Sequence, residues 1–139
     1  MGAVGVWGTG PFENDDARDF TAELQADGVW VLRGALEEVA LLDPEGYVAA
    51  PSSSRAIAAA EVLAAARGKP APDLPPEVTD WLSRAPQVDD RLVPLASRAI
   101  ARILDGSELK QQWHASEEGP AWESRVADLR ERLGLSGLR

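Results

Sequence analysis

The sequence contains no cysteine and a single histidine, His114. The absence of cysteine excludes disulfide bonds, a thiolate nucleophile and cysteine metal ligands, and it fits a reducing cytoplasm. Long apolar runs are also lacking. The run near the start, Ala3 to Trp7, has no basic residue before it and is far too short for a signal peptide or a membrane span. We therefore expect a cytoplasmic protein with no membrane partner.

Catalytic motifs are lacking as well. A general-base histidine needs a nucleophile and an orienting group, and neither is evident beside His114, which is followed by Glu117 and Glu118. His114 is therefore interpreted as a surface residue at a helix end. The Gly8-Thr9-Gly10 segment is not followed by Gly-Lys-Ser/Thr, so it is not a phosphate-binding loop. The sequence predicts no catalytic residue and no cofactor.

Positive charge is scarce in the first third of the chain. The net charge of the protein is −9, and residues 1–50 contain ten acidic and only two basic residues. A field of this sign repels phosphate backbones and attracts cations or basic protein surfaces. We therefore expect no nucleic-acid partner. A basic protein partner is one interpretation of the uneven charge, and simple solubility is the other.

Apolar side chains are plentiful enough to form a core. They make up 45% of the 139 residues, and a chain of this length fits one domain, residues 1–139. No stretch shows sustained period-two alternation, whereas spacings of three and four recur, which predicts an all-α bundle of about six or seven helices. Residues 1–13 are expected to be an irregular segment and residues 68–76 a proline-rich loop. The first three expected helices run from Asn14 to about Leu24, from Gly28 to Leu42, and from a serine cap (Ser52, Ser53 or Ser54) to Arg67. The other four run from Pro76 to about Leu82, from Asp89 or Asp90 to Leu104, from Ser107 to Trp113, and from Pro120 to Gly134.

Two of these helices have distinctive faces. In the second, Val29, Leu32, Leu36 and Val39 share one face, and Trp30 and Leu41 lie on another, which predicts packing against two neighbours. The third is rich in alanine and apolar all round, so it is expected to be central.

The segment WGTGPFENDDARDF, from Trp7 to Phe20, places a Gly/Pro loop directly before a group of carboxylates. Asn14 is placed to cap the first helix, and Asp15 and Asp16 then lie in its first turn, where carboxylates are favoured. On a helical wheel Asp15, Asp16, Asp19 and Glu23 form one stripe. Their spacing does not match a calcium-binding loop, so no metal site is predicted and a capped, solvated helix start is the favoured interpretation.

Glu61 lies within the apolar third helix, where an ionised carboxylate needs a partner or access to water. The candidate partners are the backbone amides of residues 8–10, a tryptophan indole N–H, or an arginine such as Arg98. A structural role, in which Glu61 ties the N-terminal loop to the central helix, is favoured over a catalytic or ligand-binding role.

The opening segment resembles the signature of a family of small bacterial proteins known as domain of unknown function 4259. Further similarity lies in AIAAAEVLAAARGKP, DLPPEVTDWL, SELKQQW and WESRVADLRERL, so that the resemblance spans nearly the whole chain. It implies a compact helical single domain, and it implies no activity, catalytic residue or cofactor.

Two functional hypotheses follow. The first is a non-enzymatic interaction module, similar in kind to small inhibitor or immunity proteins, that binds a basic partner through its acidic N-terminal third. The alternative is a small-ligand or divalent-metal binding protein or enzyme, with a site where the Trp7–Phe12 loop meets Glu61 and the aspartates. Self-association stays open. The candidate binding residues are Trp7, Thr9, Phe12, Asn14, Asp15, Asp16, Asp19 and Glu61.

Overall fold

Helices make up most of the computed structural model, which describes residues 10–134. Within that range the chain forms seven α-helices and no β-strand, so the expected all-α fold is confirmed. The helices are α1 (Asp15–Asp27), α2 (Val29–Ala40), α3 (Ala50–Ala66), α4 (Pro76–Ser83), α5 (Leu92–Asp105), α6 (Glu108–His114) and α7 (Gly119–Arg132).

Helix α3 lies at the centre of the bundle, as its composition predicts. All of its residues from Ala56 to Ala64 are buried, and α1, α2, α5, α6 and α7 pack around it. Its many alanines allow these neighbours to approach closely because their side chains project little from the helix. Within the described residues no helix combines the length and the apolarity needed to cross a membrane.

The corner between α1 and α2 depends on Gly28. This residue has a φ of 73°, a left-handed conformation that glycine adopts without the steric cost of a Cβ. Its N–H donates to the carbonyl of Leu24 over 2.8 Å and so closes α1, and α2 begins at the next residue. The chain therefore turns from α1 directly into α2, and the two helices contact each other.

The expected cap of α3 is wrong. The helix begins at Ala50, before Ser52, and Ser53 and Ser54 are buried within it. The first turn is capped instead by α6, because Glu108 Oε1 accepts a hydrogen bond from the Ala50 N–H over 2.7 Å. The Glu108 N–H in turn donates to the Val48 carbonyl over 2.9 Å, so the two helix starts are tied together.

Helix α2 packs against more than one neighbour, as expected, because it contacts α3, α5 and α1. Leu32, Leu36 and Val39 are buried at these contacts. The side chains of Trp30 and Leu41, expected to face the second neighbour, are instead 80% and 57% exposed. The buried face of α2 therefore meets its neighbours without them.

Replacing Glu108 by alanine is expected to lower the free energy of unfolding by about 1 kcal/mol, because the Ala50 N–H then loses its acceptor. Glu108→Gln is the matched control, since its side-chain oxygen can still accept this hydrogen bond. Urea denaturation followed by circular dichroism measures both variants. Equal stability of Glu108→Ala and Glu108→Gln would show that the cap contributes little.

Candidate functional site

The start of α1 is built around Phe12 and Asn14. Phe12 is 5% exposed and belongs to the main hydrophobic core. Asn14 caps α1, since its side-chain oxygen accepts from the Ala17 N–H over 2.8 Å. Both residues thus have a structural role here, and their proposed binding role stays a prediction. Trp7 and Thr9 lie outside the described residues.

Asp15, Asp16 and Asp19 follow on α1 as the wheel predicts. Asp15 and Asp19 are exposed and Asp16 is half-buried. None of the three forms an ion pair with another residue of the described range. Their charge is therefore directed to solvent rather than used to hold the fold together.

Arg55 of α3 lies among the carboxylates of α1 and α2. Its two terminal nitrogens bind both oxygens of Glu23, over 3.1 and 2.8 Å, and its guanidinium carbon lies 5.9 Å from the centre of the Phe20 ring. Glu38 of α2 and Asp16 of α1 are close enough to act on its charge. Glu38 itself accepts from the Ser52 hydroxyl over 3.0 Å. We call Asp15, Asp16, Asp19, Glu23 and Glu38 the acidic face.

The electrostatics of this face follow from the same contacts. Hydrogen bonding to Arg55 lowers the pKa of Glu23, and hydrogen bonding to Glu23 raises the pKa of Arg55. Both groups are therefore charged at neutral pH. Arg55 supplies a single positive charge against five carboxylates, so the acidic face keeps a net negative charge.

Glu61 is paired with Arg132 of α7, so its partner is an arginine, as one of the three expectations had it, but not Arg98. The amides of residues 8 and 9, another of the candidates, lie outside the described residues. Glu61 and Arg132 form a bidentate pair, with N–O distances of 2.9 and 2.8 Å, and their side chains are only 3% and 15% exposed. Arg132 also donates to Asp128 and to the Lys69 carbonyl. Burial raises the pKa of Glu61, and the hydrogen bonds from Arg132 oppose that rise. Glu61 thus ties the central helix to the last helix.

A small crevice lies beside this pair. Pro11, Glu61, Trp122 and Arg125 are among the residues that line it, and its volume is about 10 Å³, which is room for about one water molecule. Asp73 accepts from Arg125 over 2.6 Å nearby. Asp15, Asp16 and Asp19 are not in the lining, so within the described residues they are not brought together with Glu61 around one cavity.

His114 lies exposed at the end of α6, as expected, and its Nε2 pairs with Glu123 of α7. Among residues 10–134, no group of three or more His, Asp or Glu side chains is arranged to hold a metal ion.

The family model described as a domain of unknown function (DUF4259) matches residues 5–125 of the 139-residue chain. The chain belongs to this family. Neither a curated protein nor a solved structure matches it significantly. The match includes all of the acidic face and Glu61, whereas Arg132 lies beyond its end. The resemblance of the opening segment to this DUF4259 family is therefore confirmed.

Sequence reasoning missed two features of this DUF4259 chain. It did not assign a role to Arg55, although Arg55 is the only charged residue near the start of an otherwise apolar helix. It also did not find Arg132 as the partner of Glu61. The role of Arg55 had a signal in the sequence. The pairing of Arg132 with Glu61 had none, because 71 residues separate the two along the chain.

Arg55→Gln is expected to lower the free energy of unfolding at neutral pH by about 0.5 kcal/mol, since Glu23 is half exposed and solvent screens the pair. The pKa of Glu23 in the folded state lies below its ordinary value of 4.5. The stabilisation is therefore complete above that value and is lost as the pH falls through the folded-state pKa. Urea denaturation over this range should show the difference from wild type disappear in acid.

Arg91→Gln is the control, because Arg91 is 92% exposed and pairs only with Asp89 within the described chain. It should leave stability unchanged at every pH. A difference between Arg55→Gln and wild type that persists in acid would contradict the ion-pair explanation.

Arg132→Met is expected to lower the free energy of unfolding by about 3 kcal/mol near neutral pH, because Glu61 is left buried without its partner. The pKa of Glu61 in the folded variant then rises further above its unfolded value. A carboxyl group whose pKa is higher in the folded than in the unfolded state makes the free energy of unfolding decrease as the pH rises above the unfolded-state pKa. The variant should therefore become more stable when the pH is lowered from about 7 to about 5.

The double variant Glu61→Gln with Arg132→Met is the matched control and should lack this pH-dependent recovery. Chemical denaturation at the two pH values distinguishes the variants. Identical pH dependence in the single and double variants would mean that Glu61 is not the group responsible.

Proposed function

We propose that this DUF4259 chain is a non-enzymatic protein-interaction module, comparable in kind to small inhibitor or immunity proteins, and that the acidic face binds a basic surface of its partner. The observation that carries the proposal is the imbalance of charge on this face. Arg55 pairs with Glu23, whereas Asp15, Asp16, Asp19 and Glu38 form no ion pair within residues 10–134.

The construction of the face supports this role. Its carboxylates are fixed on helices that are held by the Asn14 cap, by the Gly28 corner and by burial of Phe20. Fixed charges of one sign attract an oppositely charged partner before contact and accelerate its association. Because the charges are exposed, the attraction should weaken strongly with salt.

The alternative, a small-ligand, metal or catalytic site at the N-terminal loop and Glu61, has less support. Glu61 is occupied by Arg132, and the crevice beside it holds about 10 Å³, far below the several hundred that an ordinary ligand pocket offers.

The proposal is tested by an affinity pull-down from the lysate of the protein's own host, at about 50 mM and about 500 mM salt. The variant carries Asp15→Asn, Asp16→Asn and Asp19→Asn. A partner should be retained by the wild type at low salt, released at high salt, and lost in the variant.

The matched control carries Glu117→Gln, Glu118→Gln and Glu131→Gln, which change the net charge equally but lie outside the acidic face. It should retain the partner. Equal loss of binding in both triple variants would indicate an effect of net charge alone, and binding that is insensitive to salt and to all six substitutions would refute the proposal. Thermal denaturation of each variant shows that the fold is intact.

A further inference from the structure

We propose that the outward side of α2 docks a basic amphipathic helix of the partner. The inference rests on the proposed function and names the class of partner. The docking line consists of Trp30, Gly34 and Leu41, and we call it the α2 stripe.

The first observation is where the exposed apolar side chains lie. Within residues 10–134 the large hydrophobic residues that are exposed are Trp30, Leu41 and Tyr47, at 80%, 57% and 71%. All three belong to α2 or to the loop that follows it. Single exposed apolar residues are ordinary on a protein surface, but here they are confined to one short segment of the described chain, residues 30–47. Trp and Tyr are also the side chains that most often dominate binding energy at interfaces.

The second observation is the alignment of Trp30 and Leu41. Trp30 is in the first turn of α2 and Leu41, eleven positions later, is the residue that ends it. At about 100° per residue their directions differ by only about 20°. The rise of about 1.5 Å per residue separates them by about 16 Å along the axis. The two residues are therefore nearly in line over about three turns.

The third observation is Gly34, which lies between them on the same side. Glycine inside a helix is about 1 kcal/mol less favourable than alanine. The fold does not require it, since a Cβ built at Gly34 would meet no atom within 4 Å. The free space lies on the outside of α2, where a missing side chain allows a partner's backbone or a large apolar side chain to approach closely.

Charge complementarity determines what kind of helix fits. Glu38 lies about 80° from Trp30 around the α2 axis and belongs to the acidic face, so the stripe is bordered by carboxylates on that side. Glu37 lies only about 20° from Trp30 around the axis, within the length of the stripe, and Arg33 pairs with it over 2.9 Å. The best match is a helix with apolar residues at every third or fourth position and Lys or Arg beside them.

The same charges disfavour two other occupants. A second copy of this chain would bring two acidic faces together, each from a protein with a net charge of −9. A membrane surface that carries anionic lipids would be repelled for the same reason.

The test uses a fluorescein-labelled synthetic helix of lysine and leucine, with leucine at every third or fourth position, and its fluorescence anisotropy with the whole protein at low salt. The matched probe has the same composition in a scrambled order, which separates its leucines from one face. The amphipathic probe should bind at least about tenfold more tightly than the scrambled one, because only the amphipathic probe presents its leucines on one face.

The protein variants are Trp30→Ala, Trp30→Phe and Gly34→Gln. Trp30→Ala should weaken binding of the amphipathic probe about tenfold or more, and Trp30→Phe should retain most of it, because an aromatic anchor remains. Gly34→Gln should also weaken binding about tenfold by blocking close approach. Its melting temperature should equal or exceed that of the wild type, since glutamine is the better helix former, so unfolding cannot explain its loss of binding.

Several outcomes would overturn the inference. Equal binding of the two probes would be one such outcome. Another would be binding that the Asp15, Asp16 and Asp19 variant loses but that Trp30→Ala and Gly34→Gln leave unchanged. Either result would leave the acidic face as the only site, which contradicts this inference but not the proposed function. No binding of either probe would reject the helix-docking inference, while the lysate comparison decides the proposed function independently. A wild-type dimer in sedimentation equilibrium that Trp30→Ala dissociates would identify a second copy as the occupant.

Discussion

The burial of α3 on all sides is the constraint from which the rest of the molecule follows. A helix that is apolar around its whole circumference has to be surrounded, and five other helices contact it. Any charge on α3 then has to be neutralised by a neighbour or directed to the surface. Glu61, within the buried part, meets Arg132, and Arg55, near the helix start, reaches the carboxylates of α1 and α2.

These two charged residues of α3 have opposite consequences for the surface. The ion pair of Glu61 and Arg132 adds no net charge to the surface, since the two charges neutralise each other and little solvent reaches either. Arg55 satisfies Glu23 and leaves the other carboxylates around it exposed. Arg55 therefore joins α3 to the acidic face through Glu23 without neutralising that face, which borders the α2 stripe. Exposed carboxylates and exposed apolar side chains thus lie next to each other, an arrangement suited to an interface with a basic amphipathic helix.

Local patterns predicted the helices well because each depends on residues that are near one another in sequence. The apolar spacing in α2, the Asn14 cap and the all-round apolarity of α3 each predicted the element that is observed. The serine cap of α3 failed because Pro51 and the distant Glu108 move the helix start to Ala50. Helix α2 has the second neighbour expected of it, but Trp30 does not face it, because a helical wheel gives the direction of Trp30 and not where the neighbour lies.

The sequence by itself determined the all-α class, the central position of α3, the uneven charge of the first third and the need of Glu61 for a partner. These properties follow from composition and from periods of three and four, which act within a few turns of one helix. The tertiary structure alone decided that the partner is Arg132, that Glu108 caps α3, that Arg55 binds the acidic helices, and that Trp30 and Leu41 remain exposed. Each of these depends on which helix faces which, and that choice is made by packing between segments far apart in the chain, where local spacing carries no information.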